Sequence, residues 1–334
     1  MKGYRKYIIN KFFWYLLTLF IALILNFILP RLIPGNPVSV IVNKMVSGMT
    51  DSDTIKKVYA QFMKQFGLDK PLWQQFFIYV GNLFHGDMGV SFGSYPRTVS
   101  NILFTALPWT IALQIPAIIV GWILGNVLGA LAAYIRGVFD KVLFPLFLFI
   151  SCLPAFGLAI IFVFIFAVQL KWFPASGGYG FDMAPNFSLS FILSAFTHYQ
   201  LPFWSIVLVA IGGQSLGMRE MSIYELNADY VQYSRRLGIK DSKIVKYVFK
   251  NAMLPQITGL ALMLGTMIGG ALITEIVFNY PGIGSIMFSA LTTQDFPLIS
   301  GCTLLITLTV LLSNFLIEIV YGMVDPRIKA TQQE

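Results

Sequence analysis

The sequence predicts an all-α integral membrane protein with six transmembrane helices. Three observations carry that expectation. Of 334 residues, 57% are hydrophobic and only 11% charged, against about 25% charged in soluble domains. The apolar residues gather into six segments, near 12–30, 106–134, 142–170, 202–222, 255–278 and 298–322. Each is long enough to cross hydrocarbon, and unsolvated backbone there must be helical. Finally, 15 of the 23 Lys and Arg residues fall in the two ends and in alternate short connections. That is the asymmetry of a multi-pass protein with both termini cytoplasmic.

The first segment follows Lys2, Arg5, Lys6 and Lys11. It resembles a secretory signal, but it is longer than a signal's apolar core and no small-x-small cleavage site follows. It is read as a retained span, with residues 1–30 as tail and first helix. Residues 31–105 form an extracytoplasmic segment too long to be a simple link. Within it, Asp51 or Ser52 can cap a helix with Ile55, Val58, Tyr59, Phe62 and Phe66 on one face. Leu68-Asp69-Lys70-Pro71 ends it, and Pro71 starts a second helix carrying Trp73, Phe76, Phe77, Val80 and Phe84. Its aromatic load suits the headgroup level. The segment is either a platform for an external protein or a lid that packs on the spans.

Residues 106–134 bring Gly121, Gly125 and Gly129 onto one helix face, and Gly265 and Gly269 do the same in 255–278. Such faces let helix backbones approach closely, within this chain or against a second one. The 202–222 segment starts at Pro202 and is interrupted by Gly212, Gly213 and Gln214. The outer connection 171–201 holds only Lys171 as a basic residue, and 279–297 holds none. Charges at membrane depth are costly, which singles out Glu275 and Glu318. Glu275 is a candidate for the translocation path; a partnered structural carboxylate is the alternative for both.

Residues 106–334 thus form a five-span core, with a cytoplasmic loop at 223–255. Asn227 can cap a short helix over 228–237, with Tyr230, Tyr233, Ser234 and Leu237 on one face. Gly238 can take a left-handed turn. Asp241 or Ser242 then caps a second amphipathic helix, lying along the inner leaflet, with Pro255 marking the turn into the fifth span. The net charge of +8 is accounted for by topology, so no nucleic-acid partner is implied. Cys152 and Cys302 both sit in apolar runs, which excludes a disulfide framework or a cysteine metal site.

Tyr230-Val231, Ser234-Arg235, Gly238 and Leu254-Pro255 are similar to the loop by which ABC importer permeases dock on their ATPase. The family's Glu-Ala-Ala positions are occupied here by Gln232, Tyr233 and Ser234; the peptide branch also lacks the glutamate. Further motifs extend the resemblance over nearly the whole chain: Pro34-Gly35-Asn36-Pro37, Gly67-Leu68-Asp69-Lys70-Pro71, Gly86-Asp87-Met88-Gly89-Val90-Ser91, Phe278 with Tyr280-Pro281-Gly282-Ile283-Gly284, Asp295-Phe296-Pro297, and Tyr321 with Asp325-Pro326-Arg327-Ile328. In order and spacing they resemble the oligopeptide/dipeptide/nickel branch, and the first of its two permease subunits.

The resemblance implies a type I importer fold in the prokaryotic inner membrane and import by alternating access. It implies a second homologous permease, two ATP-binding subunits carrying ATP and Mg, and an extracytoplasmic solute-binding protein. Tyr230, Ser234, Arg235 and Gly238 are the expected ATPase-coupling residues. Peptides are the leading cargo, with oligosaccharides and a nickel complex as alternatives. The chain itself contains no Gly-Lys pair, hence no phosphate-cradling Gly-x4-Gly-Lys-Ser/Thr loop, so no cofactor and no catalysis are expected of it. Two rivals stand beside this reading. Gly89-Val90-Ser91-Phe92-Gly93 fits the Gly-x-Ser-x-Gly motif of a serine hydrolase, with His85 and His198 as possible partners. A self-contained secondary transporter is the other, although no internal repeat is evident.

Overall fold

The computed structural model describes residues 2–32, 38, 42, 52–135, 137–270 and 272–324. Pro34-Gly35-Asn36-Pro37, Asp51 and Asp325-Pro326-Arg327-Ile328 lie outside the described residues, as do the surroundings of Gly269 and Glu318. Twelve α-helices are described: α1 (Lys2–Leu32), α2 (Ser52–Gln65), α3 (Leu72–Phe84), α4 (Val99–Ile135), α5 (Gly137–Cys152), α6 (Ala155–Phe162), α7 (Leu189–Leu226), α8 (Asp229–Arg236), α9 (Asp241–Gly270), α10 (Leu272–Val277), α11 (Ile283–Thr292) and α12 (Phe296–Val324). The all-α expectation holds.

Among the described residues, four helices are long and apolar enough to cross a membrane: Ile9–Leu32, Val99–Ile135, Leu189–Leu226 and Phe296–Leu316. A fifth candidate is the pair Asp140–Cys152 and Ala155–Gln169, bent by 98°. The expected 142–170 span is therefore broken, at Leu153-Pro154. Proline lacks the N–H that would continue the ladder, and beyond it α6 passes directly into a π-helical stretch, Val163–Gln169. The expected 255–278 segment is divided between α9 and α10, and part of it lies outside the described residues.

Two expected boundaries differ. Helix α7 runs unbroken through Pro202 and Gly212-Gly213, capped at its start by Ser188, whose Oγ accepts from the Phe191 amide at 3.3 Å. Helix α9 likewise runs through Pro255, so the amphipathic stretch after Asp241 and the apolar stretch after it are one rod. A proline removes one ladder bond, and neighbouring packing can outweigh that local loss.

The chain divides into two units, Met1–Thr110 with Gly282–Glu334, and Ile111–Pro281. In the first, α1 packs on α12. A buried polar knot fastens them: Asn26 donates to the Ser300 carbonyl at 2.8 Å and to Tyr79 Oη at 3.3 Å, and Thr303 donates to Asn26 Oδ1. Elsewhere α1 presents Phe13, Trp14, Phe20 and Leu29 outward, as a lipid-facing helix does. The α2 face expected from periodicity is observed: Phe62 is buried against Val38, Val42 and Phe92, with Ile55, Val58, Tyr59 and Phe66 around it. Gly67 turns the chain at φ +63° before Pro71 opens α3.

In the second unit, the glycine face of α4 lies against α7. A Cβ at Gly121 would stand 2.6 Å from Ala210 Cβ, and one at Gly125 would stand 2.6 Å from Gln214 Cβ. At Gly129 it would collide with the Ser215 carbonyl oxygen. This face is therefore packing within the chain. Helix α5 closes on the other side of α7, where Phe147 joins Ala117, Val207 and Ile211 in one core. Arg219 of α7 holds Asp140 of α5 through two bonds of 2.6 and 2.7 Å, with its guanidinium over the Phe144 ring.

Gly125→Val should lower stability by about 1–3 kcal/mol, the usual cost of overpacking. Gly213→Ala, with nothing within 4 Å of the added methyl, should leave it unchanged or raise it. Reversible unfolding in mixed detergent micelles compares the two, and equal effects would contradict the packing described.

Candidate functional site

The loop after α7 builds a small projecting helix from local rules. Asp229 stands in the first turn of α8 and Arg235 and Arg236 in its last, each complementing the helix dipole. Gly238 takes φ +72°. Its amide donates to the Arg235 carbonyl and the Ile239 amide donates to the Ser234 carbonyl, at 3.0 and 3.1 Å. That pair of bonds is a Schellman stop, which needs a left-handed residue where Gly238 stands. Asn227 does not cap α8. It ends α7, and Ala228 precedes α8 without a side-chain cap.

The side of α8 that faces the protein is not the one that residue type suggests. Val231 is wholly buried, against Ile244 and Val248 of α9, Leu226 of α7 and Ala133 of α4. Tyr233 and Leu237 are 65% and 61% exposed. Arg235 and Arg236 are exposed as well, and Arg235 lies 3.9 Å from the solvated Asp241 carboxylate, a weak surface pair. Ser234 is partly buried.

Tyr230 turns inward. Its hydroxyl donates to Glu225 Oε2 at 2.6 Å and accepts from Asn251 Nδ2 at 3.2 Å. Asn251 also reaches Glu225 at 3.4 Å. One hydroxyl thus joins the end of α7, the start of α8 and the middle of α9. Sequence reasoning singled out Tyr230, quoted Val231 only as part of a motif without an anchoring role, and did not reach the Glu225 and Asn251 partners. The spacing of Val231 from Ile244 and Val248 depends on how two helices fold back, which no local pattern states.

The other candidate residues lie elsewhere. Glu275, in α10, is buried. Its carbonyl accepts the Tyr280 amide at 2.8 Å, and Phe278 and Tyr280 beside it are buried too. The Phe278 carbonyl accepts the Gly177 amide at 2.7 Å, tying the 171–188 connection to this turn.

Ser91 belongs to a buried hydrogen-bonded cluster. It is wholly buried, its Oγ donates to Asp295 Oδ2 at 2.5 Å and accepts the Ser94 amide at 2.9 Å. No histidine is among its partners, and the exposed His85 binds its own helix at the Gly81 carbonyl. The strand that a nucleophile elbow requires is reduced to an isolated bridge between Val90 and Thr98. Asp295 is the organiser here. It also accepts the Phe92 and Gly93 amides at 3.0 and 2.8 Å, and the Leu298 amide at 3.2 Å as cap of α12. The approach at Gly93 is close, since a Cβ there would stand 3.1 Å from the carboxylate and press on it.

Asp295→Ala should cost about 3 kcal/mol, because several buried donors lose their acceptor. Chemical unfolding measures it, and a loss no larger than for Ser91→Ala would refute the clamp. Burial first, and then the Glu225 bond, push the Tyr230 phenol up from 10.0 to about 12. The protonated form is the favoured one, so its contribution is complete below pH 10 and fades as pH rises toward about 12. An ultraviolet difference titration against Tyr230→Phe should show little phenolate at pH 10.

Residues 125–330 match the family described as "Binding-protein-dependent transport system inner membrane component". The chain is 34% identical over 313 residues to a Brucella ovis protein provisionally named a peptide permease, covering 92% of this chain and 94% of that one. It is 32% identical over 327 residues to the di/tripeptide transport system permease protein DppB of Pseudomonas aeruginosa, covering 93% and 95%. It is 28% identical over 327 residues to the glutathione transport system permease protein GsiC of Escherichia coli K12, covering 97% and 99%. A projecting helix held on a buried anchor, several apolar spans and similarity along the full chain agree: the protein belongs to the binding-protein-dependent inner membrane components, as a permease subunit in the peptide family of ABC importers.

Proposed function

We propose that this chain forms half of a translocation path for peptides and takes its driving force from separate ATP-binding subunits through α8. The observation that carries the proposal is the division of labour on α8. Val231 roots it in α4, α7 and α9, while Tyr233, Leu237, Arg235 and Arg236 stand clear in solvent. A short helix with one face anchored and the other free is a handle that a second protein can push.

In this reading α8 lies on the cytoplasmic side, with both termini. Arg235 and Ser234 belong to the docking face, Gly238 fixes the angle at which α8 meets α9, and Tyr230 relays displacement into α7 and α9 through Glu225 and Asn251. ATP and Mg are held by the two ATPase subunits. Their closure draws α8 together with its counterpart on a second, homologous permease, and the path opens outward to accept solute from an extracytoplasmic binding protein. The names of the relatives, which concern peptides, di/tripeptides and glutathione, favour a peptide cargo. Glu275 is the candidate for contact with it.

Cysteines at Tyr233 and Leu237 should crosslink to the co-expressed ATP-binding subunit, whereas Val231→Cys should not. In proteoliposomes with binding protein and ATP, Val231→Asp should lower tripeptide uptake at least about tenfold, since a buried unpaired charge unseats the helix. Crosslinking from Val231 alone, or full uptake by the chain without any ATPase, refutes the coupling. Uptake of maltotriose or nickel in preference to tripeptides refutes the cargo.

A further inference from the structure

The first unit contains a cavity of about 1070 Å³ between the end of α1, the turn after α2, and α3. Its size lies at the upper edge of the range of roughly 300–1,000 Å³ common for small-molecule sites. Three cations line it, Arg31, Lys64 and Lys70, against one carboxylate, Asp87. That carboxylate is engaged by the Gly89 amide at 2.8 Å.

Arg31 is the telling group. It is partly buried, and its guanidinium sits 3.5 Å from the centre of the Phe27 ring. It donates to the Phe27 carbonyl at 2.7 Å and to Gln75 Oε1 at 3.4 Å. Both acceptors are neutral, and among the described residues no carboxylate lies within ion-pair distance of it. A guanidinium offers five donors and favours an anionic oxygen pair.

Beyond these charges the lining mixes polar side chains (Gln65, Gln75, Asn82) with a larger apolar part that reaches the surface. Leu32, Leu72 and Trp73 line the cavity while 71%, 64% and 62% exposed. A small hydrophilic anion would leave these walls uncovered. A molecule with a phosphate at one end and hydrocarbon at the other satisfies both.

We propose that this cavity binds an anionic phospholipid, with its phosphate on Arg31 and Lys70 and its acyl chains along Leu32, Leu72 and Trp73. The site is independent of the coupling reading, because its residues all belong to the unit without α8.

The test uses the full chain extracted with whatever subunits accompany it. It is exposed to dioleoylphosphatidylglycerol or dioleoylphosphatidylcholine, and native mass spectrometry reads the lipid retained. Phosphatidylglycerol should be retained at least about tenfold better than phosphatidylcholine. Arg31→Gln should abolish that preference, and Lys70→Gln, at an exposed position that leaves folding intact, should reduce it. Equal retention of the two lipids overturns the proposal. So does an unchanged preference in Lys70→Gln when Arg31→Gln cannot be prepared, or in both variants when it can. Displacement of the lipid by millimolar inorganic phosphate assigns the site to a free anion and overturns it as well.

Discussion

Close approach of backbones is the constraint on which the second unit depends. Lipid is as apolar as a leucine side chain, so burial of leucines alone gives helices little reason to associate. The chain answers with Gly121, Gly125 and Gly129, which let α4 meet the α7 backbone where any side chain would intrude. Gly212 does the same on the opposite side of α7, where a Cβ would stand 2.8 Å from the Ser151 amide nitrogen. With α7 gripped between α4 and α5, its end at Leu226 has a fixed position. Everything attached there inherits that position: the Tyr230 hydroxyl, Val231 and the start of α9.

The first unit relies on polar fastening instead. Asn26 reaches both helix α12 and Tyr79 of α3. Asp295 gathers a serine, two loop amides and a helix terminus. Such groups are strong in a dry environment because leaving any one unmatched is costly. Each knot also joins segments far apart in the chain, so α3 and the loop at Ser91–Gly93 are held to the start of α12 by direction-specific bonds.

The sequence made much of this legible, and its failures have physical reasons. The α2 face was readable from Ile55 to Phe66 because a single helix with one buried side writes its period directly. The helical class followed from the apolar segments alone. The extent of α7 and α9 did not follow, since Pro202 and Pro255 look like ends and only tertiary packing shows that they are not. Pro154 was the converse, a real break hidden in a continuous apolar run. The buried side of α8 was not legible, because two turns of helix give too little pattern to single out Val231 over the bulkier tyrosines and leucine. The tie between Ser91 and Asp295 spans 204 positions, a distance at which no local signal exists.

The continuity of α9 has a mechanical consequence. Thirty residues in one rod, at 1.5 Å each, make a lever about 45 Å long. Rocking it about its midpoint by ~10° would swing each tip through about 4 Å, comparable to the width of a small solute. Because the helix is continuous through Pro255, a tilt imposed near Asp241 is carried into the apolar stretch beyond it rather than ending at a loop.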